Sequence, residues 1–284
     1  MLSGSVTSSA EPDTRCSGGG NYFINEGVAY RPSPAPAIKC TGDVVLDSSV
    51  VSIAANAFWG LSGIRTMVLP ANLTTISSYA FNAASSLVSI SIPSSVTSIG
   101  TNVFSGTISL ATFEVSSQNQ NFTAFNGALF NKTKTILIAY PAANSTKNFT
   151  IPATVNEIAE VALAGAKLLA SVILEPGNGS YVIENGVLLN SERSELLFYS
   201  RANIDSTFTV PSSVTEISQD AFLNAFNLNE FKVSSTNITF LSDAGVLFDI
   251  DHEILVAYPS GNTSSTYILP ATVISVGTNA FASS

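Results

Sequence analysis

Apolar residues recur along this chain at fixed intervals, with polar residues between them. From about residue 44 the pattern repeats every 59 residues: Ile99, Ile158, Ile217 and Val276 share one position, and Phe104, Leu163, Phe222 and Phe281 another. Pro93, Pro152, Pro211 and Pro270 share a third. Inside that period lies a spacing of 23, seen in Ile53, Ile76 and Ile99 and in Phe58, Phe81 and Phe104. A period of roughly 20 to 50 residues marks a solenoid, whose units bury their apolar faces only by stacking on one another. Function then belongs to a long surface more than to a single pocket.

The position of Pro70 recurs at Asp47, Pro93, Ser116, Pro152, Glu175, Pro211, Ser234 and Pro270, in steps of 23 or 36 residues. The longer step reads as a 23-residue coil carrying an insert of 13. In each insert an apolar run (127–130, 186–189 or 245–248) is followed by a polar link and a second run (136–140, 195–199 or 254–258). Two short apolar runs around a polar link predict a β-hairpin on every second coil.

Within one coil, Leu87, Ile90 and Ile92 alternate with Ser89 and Ser91, which is the period of a strand, and Pro93 ends it because it has no N–H to donate. Parallel strands are predicted at residues 64–69, 87–92, 110–115, 169–174 and 228–233. Val96, Ile99, Val103 and Phe104 then carry the chain back across the core. Ala57, Ala80, Ala162, Ala221 and Ala280 place a small residue before the aromatic position, as interlocking layers require. Nine strand positions from Asp47 to Pro270, spaced about 4.8 Å apart, predict one right-handed stack with a parallel sheet about 40 Å long.

The outward side chains of that sheet form three columns. Arg65, Val88, Ala111, Ala170 and Asn229 make one; Thr66, Ser89, Thr112, Ser171 and Glu230 the next; Val68, Ser91, Glu114, Ile173 and Lys232 the third. They are small and uncommitted, a surface for another molecule to lie against.

Composition narrows the partner. Only 11% of the 284 residues are charged while 67 are Ser or Thr, a hydroxyl-rich surface suited to the cell exterior. A net charge of −9 with scattered Lys and Arg argues against nucleic acid, which demands basic clusters. The best apolar run, 161–174, is interrupted by Lys167 and too short to span a bilayer. Residues 1–5 have neither the basic start nor the apolar core of a signal peptide. Cys16 and Cys40 are the only cysteines and precede the first clear coil. A disulfide between them would lock an N-terminal cap over residues 1–43, with the solenoid filling 44–284; two unpaired thiols are the alternative. With so few Cys and His, no metal site is expected.

The segments 87–96 (LVSISIPSSV), 99–104 (IGTNVF) and 126–141, from Asn-Gly to Tyr-Pro, resemble the BspA-like leucine-rich repeat family. The resemblance covers about residues 44 to 284 and rests on spacing, the Ala-Phe pair and the Ile-Pro strand exit together. It implies a leucine-rich-repeat solenoid on a cell surface or secreted, associated with adhesion to host, matrix or bacterial partners. The family carries no fixed catalytic residues, so none is transferred here, and no cofactor is implied. Residues 24–28 faintly echo the hairpin insert outside this region.

Three candidate chemistries carry less. His252, the only histidine, lies in the polar link 249–253, whose equivalents 131–135 and 190–194 hold other hydrophilic residues, so it reads as a hairpin turn. Glu157 and Glu216 share a repeat position roughly 10 Å apart, yet Ser98 and Ser275 at the same position point to a solvated face rather than a glycosidase pair. Glycosylation sequons occur at Asn72, Asn121, Asn131, Asn144, Asn148, Asn178, Asn237 and Asn262, concentrated in the first and third inserts and their flanks. Glycans there would leave the strand face open.

The reading is therefore a non-enzymatic, adhesin-like surface protein that binds a macromolecule on its strand face, with a structural spacer as the alternative. Val273, Val276 and Phe281 should open a further coil, but no strand follows to close over them. The repeats are expected to continue past Ser284, or the end to be covered by a partner, which includes end-to-end self-association.

Overall fold

The computed structural model describes residues 14–32, 40–218 and 220–282. The chain folds as a parallel β-solenoid, with no helix among the described residues. Coils without an insert pair a longer strand on one side with a two-residue strand on the other, as in Ile64–Val68 with Thr75–Ile76, joined by tight turns. The turns stay tight because one or two positions in these coils adopt left-handed backbone: Asn56, Tyr79, Asn102, Asp220 and Asn279 hold the first, and Gly60, Ala83, Gly106, Gly165 and Asn224 the second. Positive φ is incompatible with a continuing helix, so the segment folds back across the core.

The Ala-Phe pairs do what their spacing predicts. Phe58, Phe81 and Phe104 stack nearly parallel, with centroids 5.4 and 5.8 Å apart. Tyr22 closes the upper end of this ladder at 6.2 Å from Phe58, and its hydroxyl accepts the Asp47 N–H. Phe58 and Phe81 are among the largest fully buried side chains, so truncating either should cost about 3–5 kcal/mol.

The parallel sheet is not continuous. Gly42–Val45, Ile64–Val68, Ser89–Ile92 and Thr112–Val115 form a four-stranded sheet. Asn148–Ile151 pairs with Ser171–Leu174, and Thr207–Val210 with Glu230–Val233, as separate two-stranded sheets. The ninth expected position, 266–269, is not a strand. The predicted strands begin about two residues later than expected in four of five cases, because the outer residues lie in the preceding turn.

The inserts cause the breaks. Each is a three-stranded meander, not the two-stranded hairpin its apolar runs suggest: Phe122–Phe125, Ala128–Asn131 and Ile136–Ala139 in the first case. The middle strand is buried on both faces, with Ala128, Leu129 and Phe130 fully inaccessible. The insert is thus a wedge inside the stack rather than a graft on its outside. Its Asn126-Gly127 turn has φ of 50° and 80°, the two-residue geometry that matches strand twist. The Gly127 carbonyl accepts the Phe113 N–H, so the turn tip occupies the free edge of Thr112–Val115. Gly245 does the same to Phe231 in the third insert.

On the opposite side, Val28–Tyr30, Ser52–Ile53, Thr75–Ile76 and Ser98–Ile99 form a second parallel ladder. Past each insert it restarts: the last meander strand pairs in parallel with Glu157–Ile158, Glu216–Ile217 or Ser275–Val276. The N-terminal segment repeats this device, since Phe23–Asn25 and Val28–Tyr30 form a hairpin whose Glu26-Gly27 turn has the same conformation. The faint echo at residues 24–28 is therefore structural. Cys16 and Cys40 are disulfide-bonded, with Cα atoms 5.4 Å apart, both buried above the first coil.

Candidate recognition surfaces

The columns of the strand face exist within each sheet. Asp43, Thr66, Ser89 and Thr112 are register partners, as are Val45 with Val68 and Ser91 with Glu114. Arg65 lies 3.8 Å from Asp43 Oδ1, which also accepts the Thr66 hydroxyl at 2.7 Å. The exposed Val88 follows Arg65 through a main-chain hydrogen bond. Ser171 and Ile173 belong to the next sheet, where Ser171 donates to Asn148 Oδ1 at 2.7 Å. Asn229, Glu230 and Lys232 lie on the third, with Lys232 Nζ 3.9 Å from Glu230 and Thr207 as the register partner of Glu230. The candidate residues thus form three groups separated by hairpin tips. Asp43, Asn148 and Thr207 were missed, although each stands four residues before Asp47, Pro152 or Pro211, as Thr66 does before Pro70.

The polar links are less permissive than their sequences suggest. Oδ1 of Asn131, Asn190 and Asp249 accepts the N–H groups four and five residues on. Lys134, Arg193 and His252 share a left-handed position three residues after that cap. Each reaches the first meander strand: Lys134 lies 4.5 Å over the Phe125 ring, Arg193 Nε is 2.7 Å from Glu184, and His252 Nε2 is 3.6 Å from Asp243. The three links thus share an Asx cap and a Lys, Arg or His three residues after it. His252 also stands edge-on to Phe248 at 4.3 Å.

Glu157 and Glu216 line the second ladder, but Glu195 stands between them in register with Glu216. No cluster of three His, Cys, Asp or Glu side chains fit to hold a metal occurs among the described residues. Asn178 and Asn237 are structural: Nδ2 of Asn178 donates to the Pro152 and Val155 carbonyls, and that of Asn237 to Pro211 and Val214. Asn119 makes the same pair of bonds to Pro93 and Val96, so the three form a ladder with a 59-residue period. Asn131 caps its own turn, Asn148 accepts from Ser171 and Asn72 donates to the Ser48 carbonyl of the preceding coil, while Asn144 and Asn262 each accept the N–H two residues on. Asn121 is exposed.

A second kind of surface was not foreseen. Where each insert wedges in, the second ladder is interrupted and a cleft lies between the last short strand and the meander. The first cleft, about 500 Å³, is floored by Ile99, Phe104, Phe122, Ile138, Ala139 and Tyr140. The third, about 450 Å³, is floored by their repeat counterparts Ile217, Phe222, Phe240, Val256, Ala257 and Tyr258. The middle one holds only about 10 Å³, because the buried Phe198 fills the place of Ala139 and Ala257. Arg201 stands where Ala142 and Ser260 line the open clefts, and burial lowers its pKa to about 10. Tyr181, counterpart of Phe122 and Phe240, is hydrogen-bonded to the Ile158 main chain, and burial pushes its pKa up to about 12. Asp220, at the third cleft, has its pKa raised by burial, while the Asn279 amide donating to it at 2.7 Å opposes that rise.

Solved structures of other proteins are similar to this chain. A leucine rich cell surface protein of Faecalibacterium prausnitzii is 24% identical over 69% of this chain and 61% of its own, with a TM-score of 0.50. A leucine-rich repeat protein of Eubacterium ventriosum is 22% identical over 86% and 77%, with a TM-score of 0.49. The pneumococcal vaccine antigen PcpA is 20% identical over 88% and 62%, with a TM-score of 0.46. The chain thus spans about three fifths of the length of the first of these structures. No curated protein matches it. The model of the BspA type leucine rich repeat region matches residues 39–137 and 138–244 in six copies, and the chain belongs to that family.

Proposed function

We propose that this chain is a non-enzymatic, adhesin-like recognition protein, secreted or held at a cell surface, that binds a macromolecule along its strand face. The observation that carries the reading is the exposure of registered apolar side chains among hydroxyls on that face. Val45 and Val68 pair across adjacent strands at 62% and 55% exposed, and Ile173 is 46% exposed. Such side chains on a rigid ladder favour a partner over plain solvent. The partner is a protein or glycan of a host, matrix or bacterial surface. A spacer without a ligand of its own is the competing reading.

The test is binding of the chain to panels of host cells, matrix proteins and bacterial surfaces. Ser89→Lys, Thr112→Lys and Ser171→Lys together should abolish saturable binding while leaving the melting curve intact. Thr133→Lys, Ser191→Lys and Asp251→Lys, on exposed hairpin links, should leave binding in place. Loss with the second set alone would move recognition to the links. Absence of any saturable binding would favour the spacer.

A further inference from the structure

We propose that the two open clefts are docking grooves for an extended peptide segment of a partner protein, one in which an apolar side chain is flanked by Lys or Arg. Three independent features of the clefts point to that occupant.

The first is main-chain pairing. Ser98–Ile99 and Glu216–Ile217 are the last strands of their sheets. Ser98 and Gly100 donate back to Thr74 and Ile76, and Glu216 and Ser218 to Ser194 and Leu196. Strand alternation therefore turns the N–H and C=O of Ile99 and Ile217 outward, into the clefts. An edge with unpaired groups is a template for an added strand. In the closed middle slot the equivalent Ile158 main chain is already bonded to Tyr181, which the open clefts replace with Phe122 and Phe240.

The second feature is the floor. Phe104, Phe122 and Tyr140 in one cleft, and Phe222, Phe240 and Tyr258 in the other, offer an aromatic bed large enough for one or two side chains. Phe198 already shows that a phenyl ring fits the equivalent place in the middle slot.

The third is charge. Glu157 and Glu160 line the first cleft, and Glu160, Glu216 and Asp220 the third, with no Lys or Arg in either lining. None of the three glutamates forms a salt bridge among the described residues. Glu160 and Asp220 also line the closed middle slot, so charge selects the occupant while volume selects the cleft. A basic residue beside the anchor meets the carboxylates on the rim, and an acidic one is repelled.

This proposal is independent of the strand-face reading, since the clefts lie on the opposite ladder. It is tested with two blocked peptides, acetyl-Thr-Lys-Phe-Lys-Thr-amide and acetyl-Thr-Glu-Phe-Glu-Thr-amide, titrated into the isotope-labelled chain. The basic peptide should shift the Ile99 and Ile217 amide resonances saturably, and the acidic one should bind at least tenfold more weakly. Ala139→Phe with Ala257→Phe copies the closed slot and should remove both responses. Should that variant fail to fold, Glu157→Lys, Glu160→Lys and Glu216→Lys, all on exposed side chains, should reverse the preference toward the acidic peptide. The proposal is overturned if neither peptide shifts Ile99 or Ile217, if both bind equally, or if the responses survive the filled clefts. Clefts occupied by a second copy of the chain, seen as concentration-dependent shifts without peptide, would overturn it too.

Discussion

Ala244 opens the turn of the third insert at φ 47°, where the first two inserts have Asn126 and Asn185. An alanine in left-handed backbone costs about 1 kcal/mol or more, and asparagine tolerates it. Ala244→Asn should therefore raise stability by about 1 kcal/mol in denaturant unfolding, and Asn126→Ala should lower it by a similar amount. Equal effects of both substitutions in one direction would refute this account of the turns. Asp220 raises a different question, because burial lifts its pKa above the ordinary carboxylate value. As pH rises, the unfolded chain loses this proton first, so folding stability falls between the ordinary value near 3.9 and the raised one, and stays lower above it. Asp220→Asn removes that loss and fits the backbone, since Asn102 and Asn279 hold equivalent left-handed positions. The variant should melt higher than the parent at about pH 7 and alike at about pH 3, where both side chains are neutral. Scanning calorimetry at both pH values checks it.

Among the elements, the asparagine ladder binds the turns of the long coils to the coils before them. Each of Asn119, Asn178 and Asn237 satisfies two carbonyls of the preceding turn and accepts two N–H groups of its own. Asn237→Ala leaves these buried groups without partners and should cost at least about 2 kcal/mol, read from the shift in denaturation midpoint. A glycan would replace one Nδ2 hydrogen, removing at least one of the two donor bonds at a side chain only 7% exposed, so folded, monomeric chain made in a eukaryotic secretory host should carry none at Asn237. Mass spectrometry of that fraction would expose the error if an occupied Asn237 were found. The sequon is a local triplet and says nothing of burial. The ladder was nonetheless visible as a 59-residue recurrence of Asn after the strand that precedes each insert. The first meander strand also left a sign, the Asn-Gly dipeptides at 126 and 185. It was obscured because Phe122–Phe125 follows a run of polar residues with little alternation of its own.

For the molecule as a whole, stacking makes stability depend on neighbours, and among the described residues Ser275–Val276 pairs on one side only. Ile268 is 90% exposed and Ile274 78%, while the Ser275–Val276 strand has a free edge. Amide hydrogen exchange should therefore be fastest across residues 266–282 and slow toward the Phe58–Phe81 layers. Uniform protection along the stack would contradict it. The sequence by itself determined the solenoid, its period, the buried Ala-Phe layers and the presence of an insert on alternate coils, because each is a local pattern repeated at a fixed distance. Only the tertiary structure decided that the inserts enter the stack and break both ladders, since that depends on which strand edge the Gly127 and Gly245 carbonyls reach. It also decided that two clefts stay open while Phe198 closes the third, a matter of side-chain volume between coils that lie far apart in sequence.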